Sequence, residues 1–146
     1  MWMGDLMPGN VRYLKDRATA ESEKITLNLG YVDLGRIDLL VSEGFYSNRT
    51  DLIRTAIRTH LDRHAADLKL SVLRHTMDVG LRDFSRADLE AVRTSGEKLN
   101  IRVLGLARIA RDVTPELALA AIQSITVLGA LQASDEVKAA LAGRIA

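Results

Sequence analysis

Residues 24–64 read KITLNLGYVDLGRIDLLVSEGFYSNRTDLIRTAIRTHLDRH, the most strongly patterned stretch of the chain. The first six residues alternate strictly, with an apolar side made by Ile25, Leu27 and Leu29 and a polar side made by Lys24, Thr26 and Asn28. Such alternation is typical of a strand with one buried face. The sequence therefore predicts a short strand at 24–29.

Two helices are expected after the strand. Apolar residues recur at helical spacing up to Gly44, which predicts a first helix from Asp33 to Glu43. The second helix begins where Asn48 can cap and Asp51 stands three residues later as its partner. Its apolar stripe continues past residue 64 without a breaker before residue 80. This favours one long helix that links two domains.

These elements predict a homodimer. A segment of about forty residues is usually too small to fold alone, and the sequence has no cysteine that could form a stabilising disulfide. A lone strand also leaves both of its edges unpaired. Antiparallel pairing of the strand with its copy gives a two-stranded ribbon whose outer face carries the polar side chains twice. Such a ribbon fits the major groove of DNA, where lysine, threonine and asparagine can contact base edges.

In order and spacing, the strand, the turn Gly44-Phe45-Tyr46 and the helix start at 47–54 resemble the ribbon-helix-helix DNA-binding proteins of the CopG, Arc and MetJ class. The CopG and ParD-like branch is the most similar. The resemblance implies an α+β fold in which a homodimer binds double-stranded DNA through its ribbon. It implies base contacts by Lys24, Thr26 and Asn28, and phosphate contacts by Ser47, Asn48 and Arg49. Free N–H groups and the positive end of a helix give the phosphate contacts an independent physical basis.

The charge of this module is nearly balanced. Residues 24–64 carry six basic and five acidic side chains, and the whole chain has a net charge of +1. Because non-specific affinity comes mostly from phosphate neutralisation, we expect it to be modest. Useful affinity then requires several dimers side by side on the DNA.

His60 and His64 stand four residues apart, which is the spacing used by helical metal sites. The pair invites comparison with nickel-sensing relatives of the same family. No cysteine or further histidine follows to complete a coordination shell, apart from His75 well downstream. The sequence therefore favours no metal site and no cofactor.

The C-terminal half contains a repeat of about 24 residues. Residues 101–118 align with residues 125–142 at seven identities in eighteen, clustered at apolar and glycine positions. Each unit is predicted to be a short strand ending at glycine, a polar turn and a helix, with helix starts at Thr114 and Ser134. A fainter unit lies upstream, where Ser85 opens a helix that ends near Gly96.

Equal periods indicate stacked units whose strands pair in parallel, as in a short solenoid. The expected organisation is a flexible arm at 1–23, a ribbon-helix-helix domain at 24–74 and a repeat domain at 75–146. Few residues follow the last unit, so we expect no separate capping element and self-association of this domain into a higher oligomer. The alternative is a compact helix-rich domain whose internal similarity is accidental.

Several function classes are disfavoured. The chain has no phosphate-binding glycine loop, nucleophile elbow or catalytic histidine after His75, which favours a non-enzyme. No apolar run is long enough to suggest a signal peptide or a membrane span, and we expect a cytoplasmic protein. The leading hypothesis is a transcriptional repressor. An antitoxin and a self-assembling DNA-organising scaffold are the alternatives.

Overall fold

The structure is a computed structural model, described here for residues 22–146. The predicted N-terminal arm, with the basic residues Arg12, Lys15 and Arg17, lies outside this range except for its last two residues. The chain mixes helices and strands. It divides into two compact units that part between Leu70 and Ser71.

The first unit is helical. An extended segment at 22–30 leads into α1 (Tyr31–Ser42), which is followed by α2 (Arg49–Arg63) and by α3 (Ala65–His75), whose last five residues belong to the second unit. Gly44, at φ +86°, allows the chain to turn back after α1, where its N–H donates to the carbonyl of Val41. The two predicted helices therefore form, and α1 begins two residues earlier than expected.

A single chain leaves the expected strand untested, and one expectation for this unit needs correction. Among the described residues, 24–29 have no strand partner and form no regular element, because a strand exists only by pairing with another. The second helix is not continuous. It ends at His64, whose N–H donates to the carbonyl of Leu61 three residues back rather than to that of His60, and α3 then restarts the helix.

The second unit is a three-stranded parallel sheet with helices between its strands. The order along the chain is β1 (Asp78–Phe84), α4 (Arg86–Ser95), β2 (Leu99–Ile109), α5 (Pro115–Ala121), β3 (Ile122–Gln132) and α6 (Asp135–Ala140), with a 3-10 turn at Ala142–Arg144. The strands stand side by side in chain order. Parallel pairing, which the 24-residue period predicts, is confirmed.

The prediction that the repeat glycines end the strands is wrong. They do not end the strands, because β2 and β3 continue for several residues beyond Gly105 and Gly129. Instead, Gly80, Gly105 and Gly129 stand in register across the sheet, and all three have positive φ. A side chain on Gly105 or Gly129 would collide with the carbonyl oxygen of the glycine on the preceding strand.

The core lies between the sheet and its helices. Side chains from the strands, such as Val103, Ile109 and Ile125, pack against Leu89, Leu117 and Val137 of α4, α5 and α6. The three helices start where expected. Ser85, Thr114 and Ser134 each cap one with a side-chain oxygen that accepts from a backbone N–H three residues on.

The end of the last unit is covered, contrary to expectation. Arg144 donates from Nη1 to the carbonyls of Leu119 and Ile122, both at 2.7 Å, which clamps the 3-10 turn to α5 and to the start of β3. The N–H of Ala146 then donates to the carbonyl of Ile125 at 2.8 Å, beside a parallel bridge between Ile125 and Ile145. Residues 142–146 thus cover the start of the outer β3 edge.

Candidate nucleic-acid interface

The three predicted base-contacting residues lie together on the extended segment before α1. Lys24, Thr26 and Asn28 are all exposed there. Their apolar neighbours are exposed as well, with 77% of Ile25 and 61% of Leu27 accessible to solvent. Burial of those apolar side chains would fix the direction in which the polar side of the segment faces.

The apolar sides of the helices are equally uncovered. None of residues 22–70 is buried, and large apolar side chains of α1 and α2 such as Leu39, Leu40, Ile57 and Leu61 are exposed. A two-helix unit with such a surface is not stable by itself, since apolar burial is the main force that opposes chain entropy. The first unit therefore supplies only part of an apolar core.

The three predicted phosphate-contacting residues lie at the start of α2. The Asn48 side-chain oxygen accepts from the N–H of Asp51 at 2.8 Å, and an Asp51 carboxylate oxygen accepts from the N–H of Ser47 at 3.0 Å. The predicted cap therefore forms, although the Asp51 carboxylate accepts from the N–H of Ser47 rather than from that of Asn48. These bonds occupy the amide oxygen of Asn48 and the N–H of Ser47.

Two donors remain at this helix start. Within the described residues, the N–H groups of Arg49 and Thr50 have no acceptor, because they belong to the first turn of α2. They point out of the positive end of the helix, where an anion is favoured.

The Arg49 side chain has another partner, which sequence reasoning missed. Its Nε and Nη2 donate to the two carboxylate oxygens of Asp38 on α1, at 2.7 and 2.8 Å. These hydrogen bonds lower the pKa of the Asp38 carboxyl below its usual value and raise the pKa of the Arg49 guanidinium. Since the two residues are eleven apart and on different helices, no local sequence signal indicates this pair. The guanidinium therefore joins α1 to α2 in the single chain.

The histidine pair stands on the end of α2. The rings of His60 and His64 lie edge to face with centroids 5.1 Å apart, and His64 Nδ1 is 3.7 Å from an Asp67 carboxylate oxygen. Between residues 22 and 146, no three histidine, cysteine or acidic side chains stand close enough to hold a metal ion. An open groove of about 280 Å³ runs beside His60, lined also by Tyr46, Thr55, Ala56, Thr59 and Arg63.

These geometric features agree with a comparison to known families. A model of the ribbon-helix-helix transcriptional regulator family matches residues 20–138, which is more than half of the chain. The chain belongs to this family. As a ribbon-helix-helix regulator it is a DNA-binding protein, and membership also implies dimerisation. Comparison with curated proteins and with solved structures gave no match.

The family match is wider than the stretch that carried the resemblance. It extends through the sheet to the middle of α6, so this ribbon-helix-helix regulator shares more with its family than the strand and two helices. In the described part of the chain, no helix is both long and apolar enough to cross a bilayer.

Proposed function

We propose that this ribbon-helix-helix regulator is a repressor that reads the major groove with a two-stranded ribbon. The ribbon forms when residues 24–29 of two chains pair antiparallel, and it places Lys24, Thr26 and Asn28 of both chains against the bases. Occupancy of a promoter by the dimer then blocks RNA polymerase.

One observation carries the proposal. The unit that ends at Leu70 has no buried residue among those described, yet its extended segment alternates strictly between apolar and polar side chains. Pairing with a second copy covers Ile25, Leu27 and the helix faces in a single step. The polar residues between them are then left on the outer face of the ribbon, because strand side chains alternate.

The start of α2 supplies the phosphate contacts. The N–H groups of Arg49 and Thr50 donate to a phosphate oxygen, assisted by the hydroxyl of Ser47 and by the amide N–H₂ of Asn48, which remains available after capping. The Arg49 guanidinium acts at this site by holding α2 on α1 through Asp38, and it reaches the phosphate itself only if it leaves that carboxylate. Two such anchors per dimer fix the register of the ribbon on the duplex.

The second unit supports a regulator over an antitoxin. Antitoxin tails of the ParD-like branch are generally short and disordered until a toxin binds, as the resemblance implies. Here residues 71–146 instead form a sheet with its own apolar core.

Fluorescence anisotropy with labelled DNA from upstream of the protein's own gene tests this function. We expect selective binding over scrambled DNA at physiological salt, and Asn28→Ala should weaken it by about 1 to 3 kcal/mol and relax preference at one base position. Gln123→Ala is the matched control, because it removes an exposed amide from the second unit. Unchanged affinity and specificity in Asn28→Ala would show that the ribbon does not face the bases in this way. Equal binding to both DNAs would favour a scaffold.

A further inference from the structure

The sheet of the second unit has one covered face and one open face. Side chains at alternate strand positions, such as Val103, Ala107 and Ile125, are buried against the helices. The positions between them point to the opposite side, because strand side chains alternate. The three helices that follow the strands, α4, α5 and α6, all pack on the covered side.

Two apolar rows cross the open face. The strand register aligns Val79 with Leu104 and Leu128, and Leu81 with Leu106 and Ala130. Val79, Leu81 and Leu128 are 67%, 45% and 58% exposed, respectively. Parallel sheets are nearly always covered on both faces, and a contiguous apolar surface of this kind marks an interaction site.

The rim of the open face is polar, and its side chains are held in hydrogen bonds and one ion pair. Beyond the second row, Arg108 lies 3.4 Å from an Asp83 carboxylate oxygen and donates to Gln132 at 3.2 Å. Before the first row, Arg102 donates to the carbonyl of His75 at 3.1 Å, and Ser124 donates to Asn100 at 2.7 Å. No charged side chain lies within the two rows. The face is therefore suited to an apolar partner and not to the phosphates of a nucleic acid.

One route of self-association is obstructed. Residues 145 and 146 occupy the start of the free β3 edge, so another strand cannot pair along its whole length. Stacking of copies edge to edge, which the repeat pattern suggested, is blocked at this point. On the open face, in contrast, Val79, Leu81 and Leu128 remain exposed.

We propose that the open face packs against the same face of a second copy of this chain. The inference rests on dimerisation of the family, which holds two copies of the sheet unit in one assembly and so raises their effective concentration to the millimolar range. A two-fold axis brings the apolar rows of one copy onto those of the other, which is the self-complementary arrangement of homodimers. The interface uses no residue assigned to DNA.

Electron spin resonance distances between two nitroxide labels test this pairing in the full-length protein. The chain has no cysteine, so Ala91→Cys places one label per copy on the exposed side of α4, away from the open face. Face-to-face packing fixes the two sheet units, and we expect one narrow distance. Adding Leu128→Glu should reduce that population by at least about tenfold, because two carboxylates are then forced together in an apolar contact.

Val79→Glu is a second variant on the same face, and Ala139→Glu on the exposed side of α6 is the matched control. The control should keep the narrow distance, and thermal melting should show that all variants fold. A broad distribution in the parent protein would overturn the inference. A narrow distribution that survives both Leu128→Glu and Val79→Glu would also overturn the inference. The distance measurement needs only the dimer, which keeps both labels in one particle. DNA affinity is measured in a separate experiment, so failure of the proposed base contacts would not change the distances.

Discussion

At the scale of single residues, three glycines set the geometry of the sheet. Gly80, Gly105 and Gly129 adopt φ of +113°, +135° and +125°, which side-chain-bearing residues rarely adopt. They also differ in their surroundings. A Cβ would meet nothing at Gly80, whereas at Gly129 it would collide with the carbonyl oxygen of Gly105. Replacement by alanine should therefore lower the stability of the fold by different amounts at Gly80 and at Gly129.

Alanine at these positions should destabilise the sheet in a fixed order. Gly80→Ala incurs only the strain of positive φ, about 1 to 3 kcal/mol. Gly129→Ala adds a steric cost of about 1 to 3 kcal/mol, because the backbone of β2 must shift. Gly143→Ala, with open space and no positive φ, should be nearly neutral. Urea unfolding followed by circular dichroism measures all three, and equal losses at Gly80 and Gly129 would contradict close backbone contact.

The Asp38–Arg49 pair predicts a pH effect. The pKa of Asp38 is lowered in the folded chain by the hydrogen bonds from Arg49, so the pair stabilises the fold above the unfolded pKa of about 3.9. This contribution is lost as pH falls through the lower folded pKa. Asp38→Asn should therefore lower the melting temperature at neutral pH and flatten its fall in acid. Asp62→Asn, exposed on α2, is the control. Parallel pH profiles for wild type and Asp38→Asn would contradict the pairing.

At the scale of elements, capping decided where the helices of the second unit begin. Thr114, which precedes Pro115, accepts at Oγ1 from the N–H of Leu117 at 3.2 Å. The short helix α5 then buries Leu117, Ala118 and Ala121. A helix of seven residues is not stable alone, so its cap and its packing depend on each other.

Thr114→Ala should therefore destabilise the second unit by about 0.5 to 2 kcal/mol. Thr94→Ala, inside the exposed end of α4, is the matched control. It should be neutral or slightly stabilising, because alanine has the higher helix propensity. Denaturant midpoints at constant m-value provide the comparison, and an effect of Thr114→Ala no larger than that of Thr94→Ala would argue against a role for the cap.

At the scale of the whole molecule, the first unit depends on a second chain. Ile25 and Leu27 are exposed, and no residue of the described part of the first unit is buried. Stability of this unit should therefore rise with protein concentration, because unfolding is coupled to dissociation.

In the proposed ribbon, two adjacent substitutions should separate dimerisation from DNA binding. Leu27→Glu puts a charge into the ribbon core and should abolish both dimer and DNA binding, since an unpaired buried charge costs several kcal/mol. Thr26→Glu, one residue earlier, faces outward and should leave the dimer intact while DNA affinity falls through repulsion by phosphate. Analytical ultracentrifugation and anisotropy on the same samples distinguish the two effects. If Leu27→Glu stays a dimer, or Thr26→Glu becomes a monomer, the apolar and polar sides of residues 24–29 are assigned the wrong way round.

Local patterns were enough to predict many features correctly. The helix spacing, the turn at Gly44 and the caps at Asn48, Ser85, Thr114 and Ser134 all depend on contacts within a few residues. The 24-residue period also indicated parallel strands. Of the candidate site, local pattern located the helix start at 47–49, whereas the base-contacting assignment of residues 24, 26 and 28 remains a prediction.

Periodicity and short-range hydrogen bonding were enough to indicate the family, the helices and the parallel strands of the second unit. The structure alone reveals the break at His64, the pairing of Arg49 with Asp38, the glycines within the strands and the clamp made by Arg144. Each of these is a contact between distant segments or a choice among acceptors that compete for one donor. Periodicity carries no information on such contacts, since they depend on how complete elements pack.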